Sequence, residues 1–380
     1  MMKNNEITLF VSGDFCPIHR IEDKIKSNSS EDIFGGLAPY IENVDIAITN
    51  LECPLTTTKN PIKKTGPALK GLPKSASLLK KAGFNLVTLA NNHIFDYGEI
   101  GLKDTINELD KNNISYVGAD INGEKARSTY FINIKGFNIA IINIAENEWS
   151  TTNDEKAGAN PINPIENFYQ IKKAKEMADK IIVITHGGHE RFDLPSPNMK
   201  SLFRFFIDAG ADAVINHHTH YMSGYEIYEN APIFYSLGNF VFDNPSYRNS
   251  KWNIGISLLL NINKDSLNFE ILSFDQCNDF PGINFHSKNE NNLLKQQINR
   301  LNNIISSNNE LAEEFKKHVE LNKRLYTSYL EPIKNKYLLA LQNRNILPRF
   351  FGKKNRLLLK NLIRCESHRE LITSLLETDK

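Results

Sequence analysis

Cysteine is scarce in this 380-residue sequence: Cys16, Cys53, Cys277 and Cys365 are the only four. Their spacing fits neither a disulfide framework nor a zinc ribbon, and such sparing use suits a reducing compartment. Long apolar runs are missing as well. Nothing approaches the ~20 residues of a membrane span, and the opening "MMKNNEITLFVSGDF" passes from its lysine straight into a strand-like stretch, without the apolar core of a signal peptide. A cytoplasmic protein is expected. There is no internal repeat and no low-complexity tract. Net charge is only +1 and no nucleic-acid recognition motif is present, so nucleic acid is not an expected partner.

One absence is local. Between Glu331 and Glu366 there is no acidic residue but nine basic ones, among them Arg344, Arg349, Lys353, Lys354, Arg356, Lys360 and Arg364. From His286 to Lys380 the count is 18 Lys+Arg against 10 Asp+Glu; with +1 overall, the remainder carries −7. This asymmetry divides the chain into residues 1–285 and a basic, mainly helical extension, 286–380. Breaks in the extension are expected near Pro332 and Pro348. The apolar residues interleaved in "ILPRFFGKKNRLLLKNLIR" (346–364) suit either a helical cap packed on the main domain or a helix lying on an anionic membrane surface or acidic partner. The second alternative would put the protein at the inner membrane face.

What is abundant before residue 286 is short apolar runs: "ITLFVSGD", "VDIAITNLE", "FNLVTLANNH", "FNIAIINIAENEW", "KIIVITHGGHE", "ADAVINHHTH" and "APIFYSLGNFVFD". They are near-continuous rather than alternating, as in strands buried on both faces. Amphipathic stretches such as "PKSASLLKKAG" and "PNMKSLFRFFIDAG" lie between them and end in Gly, a helix stop signal. Strands alternating with helices predict an α/β domain. "WNIGISLLLNINKDSLNFEILSF" predicts an antiparallel hairpin turning at Asn263–Asp265.

The polar residues fall where these runs end. Asp14 ends the first, Asn50 and Glu52 the second, Asn91, Asn92 and His93 the third, His186, His189 and Glu190 the fifth, and His217, His218 and His220 the sixth. The C-terminal edge of a parallel sheet is where ligands bind. Carboxylate, carboxamide and imidazole gathered there make a mixed donor set suited to Mn, Fe or Zn rather than Mg. Strand-like alternation would aim His218 and His220 at one cluster. Two metals about 3.5–4 Å apart would clamp a phosphate or amide bond, with Glu52 bridging and a metal-activated water as nucleophile. Each residue also has an ordinary reading, such as a surface His, an Asn-Asn turn or an Asp helix cap. That reading would have to hold independently at five strand ends.

"GDF" (13–15), "NLECPL" (50–55), "LANNHIFDYG" (89–98), "HGGHE" (186–190), "NHHTH" (216–220) and "YSLGNFVFD" (235–243) together resemble the CapA-like poly-γ-glutamate capsule-synthesis family, a branch of the calcineurin-like metallophosphoesterases, over Thr8 to Asn244. The resemblance implies a four-layer α/β/β/α sandwich, followed here by the helical extension. It implies a first metal on Asp14 and His220, a second on Asn92, His186 and His218, and Glu52 between them. His93 would be the general acid, Asp96 would hold its ring, and Glu190 would act as a base or touch substrate. Asn50, Lys70, His189, His217 and Asn239 are the expected substrate contacts, with Lys63 and Lys64 of "KKTGPALKGLP" (63–73) as further basic candidates. Five features depart from the superfamily pattern: Cys16 stands where an Asp-x-His motif is usual, Glu52 replaces a bridging aspartate, "NNH" replaces Gly-Asn-His, Asn216 stands where Gly usually opens the final histidine motif, and "HGGHE" lacks the aromatic common after its first histidine. The CapA branch shares the Glu and the Asn-Asn-His. The implied function is a metal-dependent hydrolase or transferase acting on a phosphoester or γ-glutamyl-type amide of an anionic substrate in capsule or cell-envelope metabolism. The alternatives are a non-catalytic accessory of a capsule-synthesis complex that holds an anionic polymer, and a dedicated phosphodiesterase or nuclease.

Overall fold

In the first sheet, alternate side chains enter different cores. Leu9, Val11, Ile46, Ile48 and Leu86 face one cluster, while Phe10, Ala47 and Val87 face another. Both sides being apolar, these strands must be covered twice, and that requirement generates the layers. The computed structural model describes residues 6–152, 155–330 and 353–378, with isolated positions between 331 and 352.

The first half of the chain forms β1 (Ile7–Cys16), α1 (Arg20–Lys26), α2 (Ala38–Ile41), β2 (Ile46–Leu51), α3 (Ser75–Lys81), β3 (Leu86–Thr88), α4 (Gly98–Lys111), β4 (Ser115–Val117), β5 (Ala119–Asp120), α5 (Gly123–Ala126), β6 (Tyr130–Ile134), β7 (Phe137–Ala145) and β8 (Gly158–Ala159). Then follow α6 (Pro164–Lys175), β9 (Lys180–His186), α7 (Pro197–Ala209), β10 (Ala213–His217), β11 (Tyr225–Tyr228), β12 (Ala231–Phe234), β13 (Asn239–Phe242), β14 (Ile254–Ile262), β15 (Leu267–Gln276) and β16 (Ile283–Phe285). Four long helices complete the described chain: α8 (Lys288–Ser306), α9 (Asn308–Leu330), α10 (Lys353–Arg364) and α11 (Glu366–Thr378).

One sheet has the order β16-β15-β14-β1-β2-β3-β4, with β13 also paired to β1; the other runs β11-β12-β10-β9-β7-β6. β1 to β4 are parallel, as are β7, β9, β10 and β12. The shared core between the sheets joins Leu9 and Ile48 to Ile141 and Val183. Leu79 of α3 and Leu102 and Leu109 of α4 cover the outer face of the first sheet. Ile171 of α6 and Phe203 and Phe206 of α7 join the core from the second sheet's side. The result is the four-layer α/β/β/α sandwich with helices appended at its C-terminal end. The β14–β15 hairpin forms as expected, its turn closed by Asn263 Oδ1 accepting from the backbone N–H of Asp265 and Ser266.

The run "APIFYSLGNFVFD" is not one strand. β12 belongs to the second sheet and β13 to the first, so the chain crosses between sheets through Tyr235–Gly238. β1 pairs with β14 through Val11 and then exchanges it for β13 from Asp14 onward. The exchange brings two backbones into contact. A Cβ on Gly13 would lie 2.0 Å from the Gly238 carbonyl oxygen, and Gly238 itself has φ +70°. Only glycine meets both demands.

The C-terminal helices pack rather than dangle. Leu294, Ile298, Leu301 and Ile305 recur along one face of α8, whose N-terminus carries a Ser287–Glu290 capping box. Leu311, Phe315 and Val319 of α9 and Leu371 and Leu375 of α11 join the shared core. Lys200 of α7 donates to the Ile305 carbonyl (2.5 Å) and to Asn308 Oδ1 (2.8 Å). The breaks expected near Pro332 and Pro348, and Arg349, lie outside the described residues. Among the described residues, no helix is long and apolar enough to cross a membrane.

Candidate metal centre

The ends of the parallel strands of both sheets deliver a small set of polar side chains to one buried volume. Asp14 comes from β1, Glu52 follows β2, Asn92 and His93 follow β3, His186 ends β9, and His218 and His220 follow β10. His186 Nε2 lies 3.7 Å from Glu52 Oε1, 3.1 Å from Asn92 Oδ1 and 3.1 Å from His218 Nδ1. His220 Nδ1 is 3.7 Å from Asp14 Oδ2, and its Nε2 is 3.8 Å from Glu52 Oε1. Two donor groups result, Glu52–His186–His218 and Asp14–Glu52–His220, each with its ligand atoms within 4.8 Å of one another, and Glu52 is common to both.

β10 stops at His217, and His218 and His220 adopt φ +86° and +60°. Strand alternation is therefore not what aims these two rings. A sharp turn through the left-handed region does it, a conformation that costs a non-glycine residue free energy and clusters at functional sites.

The donors fit a divalent cation on an independent observation. Both Glu52 carboxylate oxygens are buried and accept no hydrogen bond among the described residues. A carboxylate in that state is costly unless a positive charge completes it. Burial, with the Asp14 carboxylate alongside, pushes the Glu52 pKa well above its ordinary value, and burial lifts Asp14 to about 7 despite its hydrogen bond from Asn50. Burial drives the imidazoles the other way, His218 and His220 to about 4 and His186 well down. Neutral imidazoles at physiological pH present the lone pairs that a metal takes, and a bound cation returns the carboxylates to their charged form.

At the rim, His93 Nδ1 sits 2.7 Å from Asp96 Oδ2, and Asp96 Oδ1 accepts from Lys64 Nζ at 2.5 Å. The Leu69 backbone N–H also donates to Asp96, and the Lys64 side chain is only 5% exposed. The loop 63–73 is thus anchored by a buried ion pair, and Lys64 is the basic residue that reaches the site. His93 is held from both ends, since Asn91 Oδ1 accepts from the His93 and Ile94 backbone N–H groups. The "NNH" motif is therefore one Asn that fastens the loop, one beside His186, and one His at the rim.

A cavity of about 530 Å³ opens above the donors, lined by Asn92, His93, Glu190, Arg191 and His220 and by Lys64. Burial would raise Glu190, but His220, His218, His93 and Arg191 outweigh it and hold its pKa below the usual carboxylate range. None of the five expected substrate contacts lines this cavity. Asn50 lies beneath it, donating to Asp14 Oδ1 (2.7 Å) and 3.2 Å from His186 Nδ1. Asn239 Oδ1 is 2.9 Å from His220 Nδ1 and fixes that ring. His217 is buried, both its ring nitrogens without a partner among the described residues, 3.7 Å from Asp14. His189 turns towards the C-terminal helices, against Phe315, His318 and Glu370. Lys70 donates to the Thr58 carbonyl and lies over Tyr97. Cys16 is buried beside Cys53 and belongs to neither donor group.

Sequence reasoning missed one whole wall. Tyr326 of α9, Leu358, Asn361 and Leu362 of α10, and His368 of α11 face the cavity from the C-terminal extension. Glu148 lines it too. The signal for Glu148 was present, since "AENEW" ends the β7 run as polar residues end the others. No comparable signal marked the helices.

The family model for bacterial capsule synthesis protein PGA_cap matches residues 8–244. Capsule biosynthesis protein CapA of Bacillus anthracis is 32% identical over 250 residues, 63% of this chain and 61% of that protein. PGA biosynthesis protein CapA of Bacillus subtilis (strain 168) is 32% identical over 236 residues, 61% of this chain and 62% of that one. The chain thus spans about three fifths of the length of the curated relatives it matches. The crystal structure of 5'-nucleotidase from Candida albicans SC5314 superposes with a TM-score of 0.41 at 13% identity, over 72% of this chain and 52% of that one, a likeness too distant to assign an activity. With every motif of the buried donor set inside the matched segment, the chain belongs to the bacterial capsule synthesis protein PGA_cap family.

Proposed function

We propose that this chain is a metal-dependent hydrolase or transferase that cleaves a phosphoester or γ-glutamyl-type amide of an anionic capsule or cell-envelope polymer. The observation that carries the reading is His93. It sits at the rim of the donor set and on the cavity wall, with Nδ1 fixed by Asp96 and Asp96 itself pinned by Lys64. A protein that only holds a polymer has no use for a positioned proton donor beside its metals. Asp14, Glu52, Asn92, His186, His218 and His220 would hold two divalent ions of the Mn, Fe or Zn type. When bound, such ions supply positive charge for a developing oxyanion and lower the pKa of water.

The chain's own residues supply the rest. Lys64 and Arg191 present positive charge to an anionic substrate entering the cavity. Asp96 fixes the tautomer and tilt of His93, so that Nε2 is the nitrogen left to give a proton to the leaving group. Glu190, kept ionised, is placed on the cavity wall to accept a proton or meet a substrate donor. Lys353, Lys354, Arg356 and Lys360 are exposed on α10 and support docking on an anionic polymer, an acidic partner or an anionic membrane surface. Arg364 is turned inward, donating to Thr151.

The test is a panel of chromogenic phosphodiesters and γ-glutamyl amides with Mn²⁺, run on the wild type, His93→Asn and Asp96→Asn. Turnover should fall about 10²–10⁴-fold for His93→Asn with metal content unchanged. If no substrate of either class turns over before the change as well as after it, the enzymatic reading fails and the polymer-holding accessory takes its place.

A further inference from the structure

The junction of α10 and α11 carries a second set of metal-type donors that shares no residue with the Asp14–Glu52 centre. Cys365 stands between the two helices and His368 one turn further on, a spacing that puts both on one side of the chain. Opposite them is Glu148, in the segment after β7. The Cys365 sulfur, a His368 ring nitrogen and a Glu148 carboxylate oxygen all lie within 4.8 Å of one another.

The surroundings are built for a cation. Glu146 Oε2 lies 3.4 Å from Cys365 Sγ, and Ser367 donates to Glu146 Oε1 at 2.5 Å. His368 Nδ1 accepts from the Asn361 side-chain amide at 3.0 Å, which fixes the tilt of the ring. Two carboxylates and a buried thiol thus meet here, yet neither Glu146 nor Glu148 forms an ion pair with a Lys or Arg among the described residues. A divalent ion would take the Cys365 thiol as the thiolate that soft and borderline metals bind.

We propose that Glu148, Cys365 and His368 form a separate zinc-type site, with Glu146 beside it, that ties the C-terminal helix pair to the wall of the cleft. Thiolate, imidazole and carboxylate are the donors Zn²⁺ takes in four-coordinate sites. The ion would join α11 to the segment after β7 and so hold His368, Asn361 and Leu362 where they line the cavity. Proton balance is simple: the Cys365 thiol and any protonated carboxylate give their protons to solvent as the metal enters.

The site is testable independently of catalysis, because a thiolate is its signature. Metal-free full-length protein titrated with Co²⁺ should develop a near-ultraviolet cobalt–thiolate charge-transfer band. That band should be lost in Cys365→Ser, together with about one equivalent of bound cobalt, and retained in Cys16→Ser, which removes the thiol of the first strand. His368→Asn, checked by circular dichroism, covers a folding failure of the serine variant and should also diminish the band. Absence of the band in the wild type at saturating Co²⁺ overturns the site. So does a band that survives Cys365→Ser. Either result leaves the Asp14–Glu52 centre standing, since that centre has no sulfur ligand.

Discussion

Two walls enclose the cavity, and they are made in opposite ways. The wall from residues 8–244 consists of polar side chains delivered by strand ends, and directly beneath it both Glu52 oxygens and both His217 nitrogens are buried without a hydrogen-bond partner among the described residues. The wall from α9 to α11 rests on apolar faces, with Leu362, Leu371 and Leu375 no more than 3% exposed, and its polar groups are largely paired across the boundary. Asn147 donates to Glu366 through both backbone and side chain, Arg364 donates to Thr151, and Ser367 to Glu146. The first wall gives up stability to gather donor groups. The second supplies stability and, through it, shape.

The sharpest break in that comparison is Glu52→Gln. It keeps the size of the side chain and removes the charge common to both donor groups. Losing an outer-sphere partner alone costs about 10–100-fold in metal affinity, so losing this ligand is expected to exceed that, read as metal retained after dialysis. The metal-free variant should unfold at a temperature close to that of the metal-free wild type, because the change exchanges one buried side chain without hydrogen-bond partners for a neutral one of the same size. A metal-free variant that is clearly less stable would show that Glu52 holds the fold together, and the contrast between the walls would collapse.

On the other wall the expectation reverses. Leu371→Ala empties a buried site in the shared core and should cost about 2–4 kcal/mol, measured by urea denaturation, while leaving the cobalt or manganese affinity of the Asp14–Glu52 centre within a few-fold of wild type. Metal affinity lost in proportion to stability would mean that the helices hold the ligands themselves, not only the space above them.

How much of each wall was legible follows from the same contrast. Strand ends were legible because buried apolar runs stand out and because Asp, Asn, Glu and His immediately after them have no ordinary reason to recur. The α/β layers and the β14–β15 hairpin followed from period and turn chemistry. Three things were hidden. Gly238 lets "APIFYSLGNFVFD" change sheets, a backbone event that hydrophobicity does not register. His218 and His220 are aimed by positive φ rather than by alternation, and torsions of that kind leave no trace in residue spacing. Asn50 and Asn239 carry the chemistry of substrate contacts but lie one layer deeper, holding Asp14 and His220. Which of two neighbouring polar residues faces the cavity is a packing outcome. The helical wall was least legible of all, since an amphipathic helix reveals that it has a buried face and not what that face covers.

The smallest effect expected lies where the two walls meet. His318 of α9 stacks on Phe192, with centroids 4.2 Å apart and planes at 21°, and lies 5.4 Å from His189. Burial, then His189 and Arg191, with Asp193 opposing, lowers its pKa from 6.5 to about 4. Between those values the unfolded chain takes up a proton that the native interface refuses. The native state's advantage is therefore complete above pH 6.5 and is lost as the pH falls towards 4. For a half-buried ring the effect is on the order of 1 kcal/mol. His318→Phe keeps an aromatic ring on Phe192 and removes the titration, while Asn322 retains its bond to the residue-318 carbonyl. Metal-free wild type and variant should therefore keep a constant difference in urea midpoint from neutral pH down to about 6.5, and below that the wild type should lose ground. Parallel curves throughout would mean that the imidazole is solvated in solution and that the helical wall stands open at this edge, removing the paired, dry interface on which the contrast between the two walls depends.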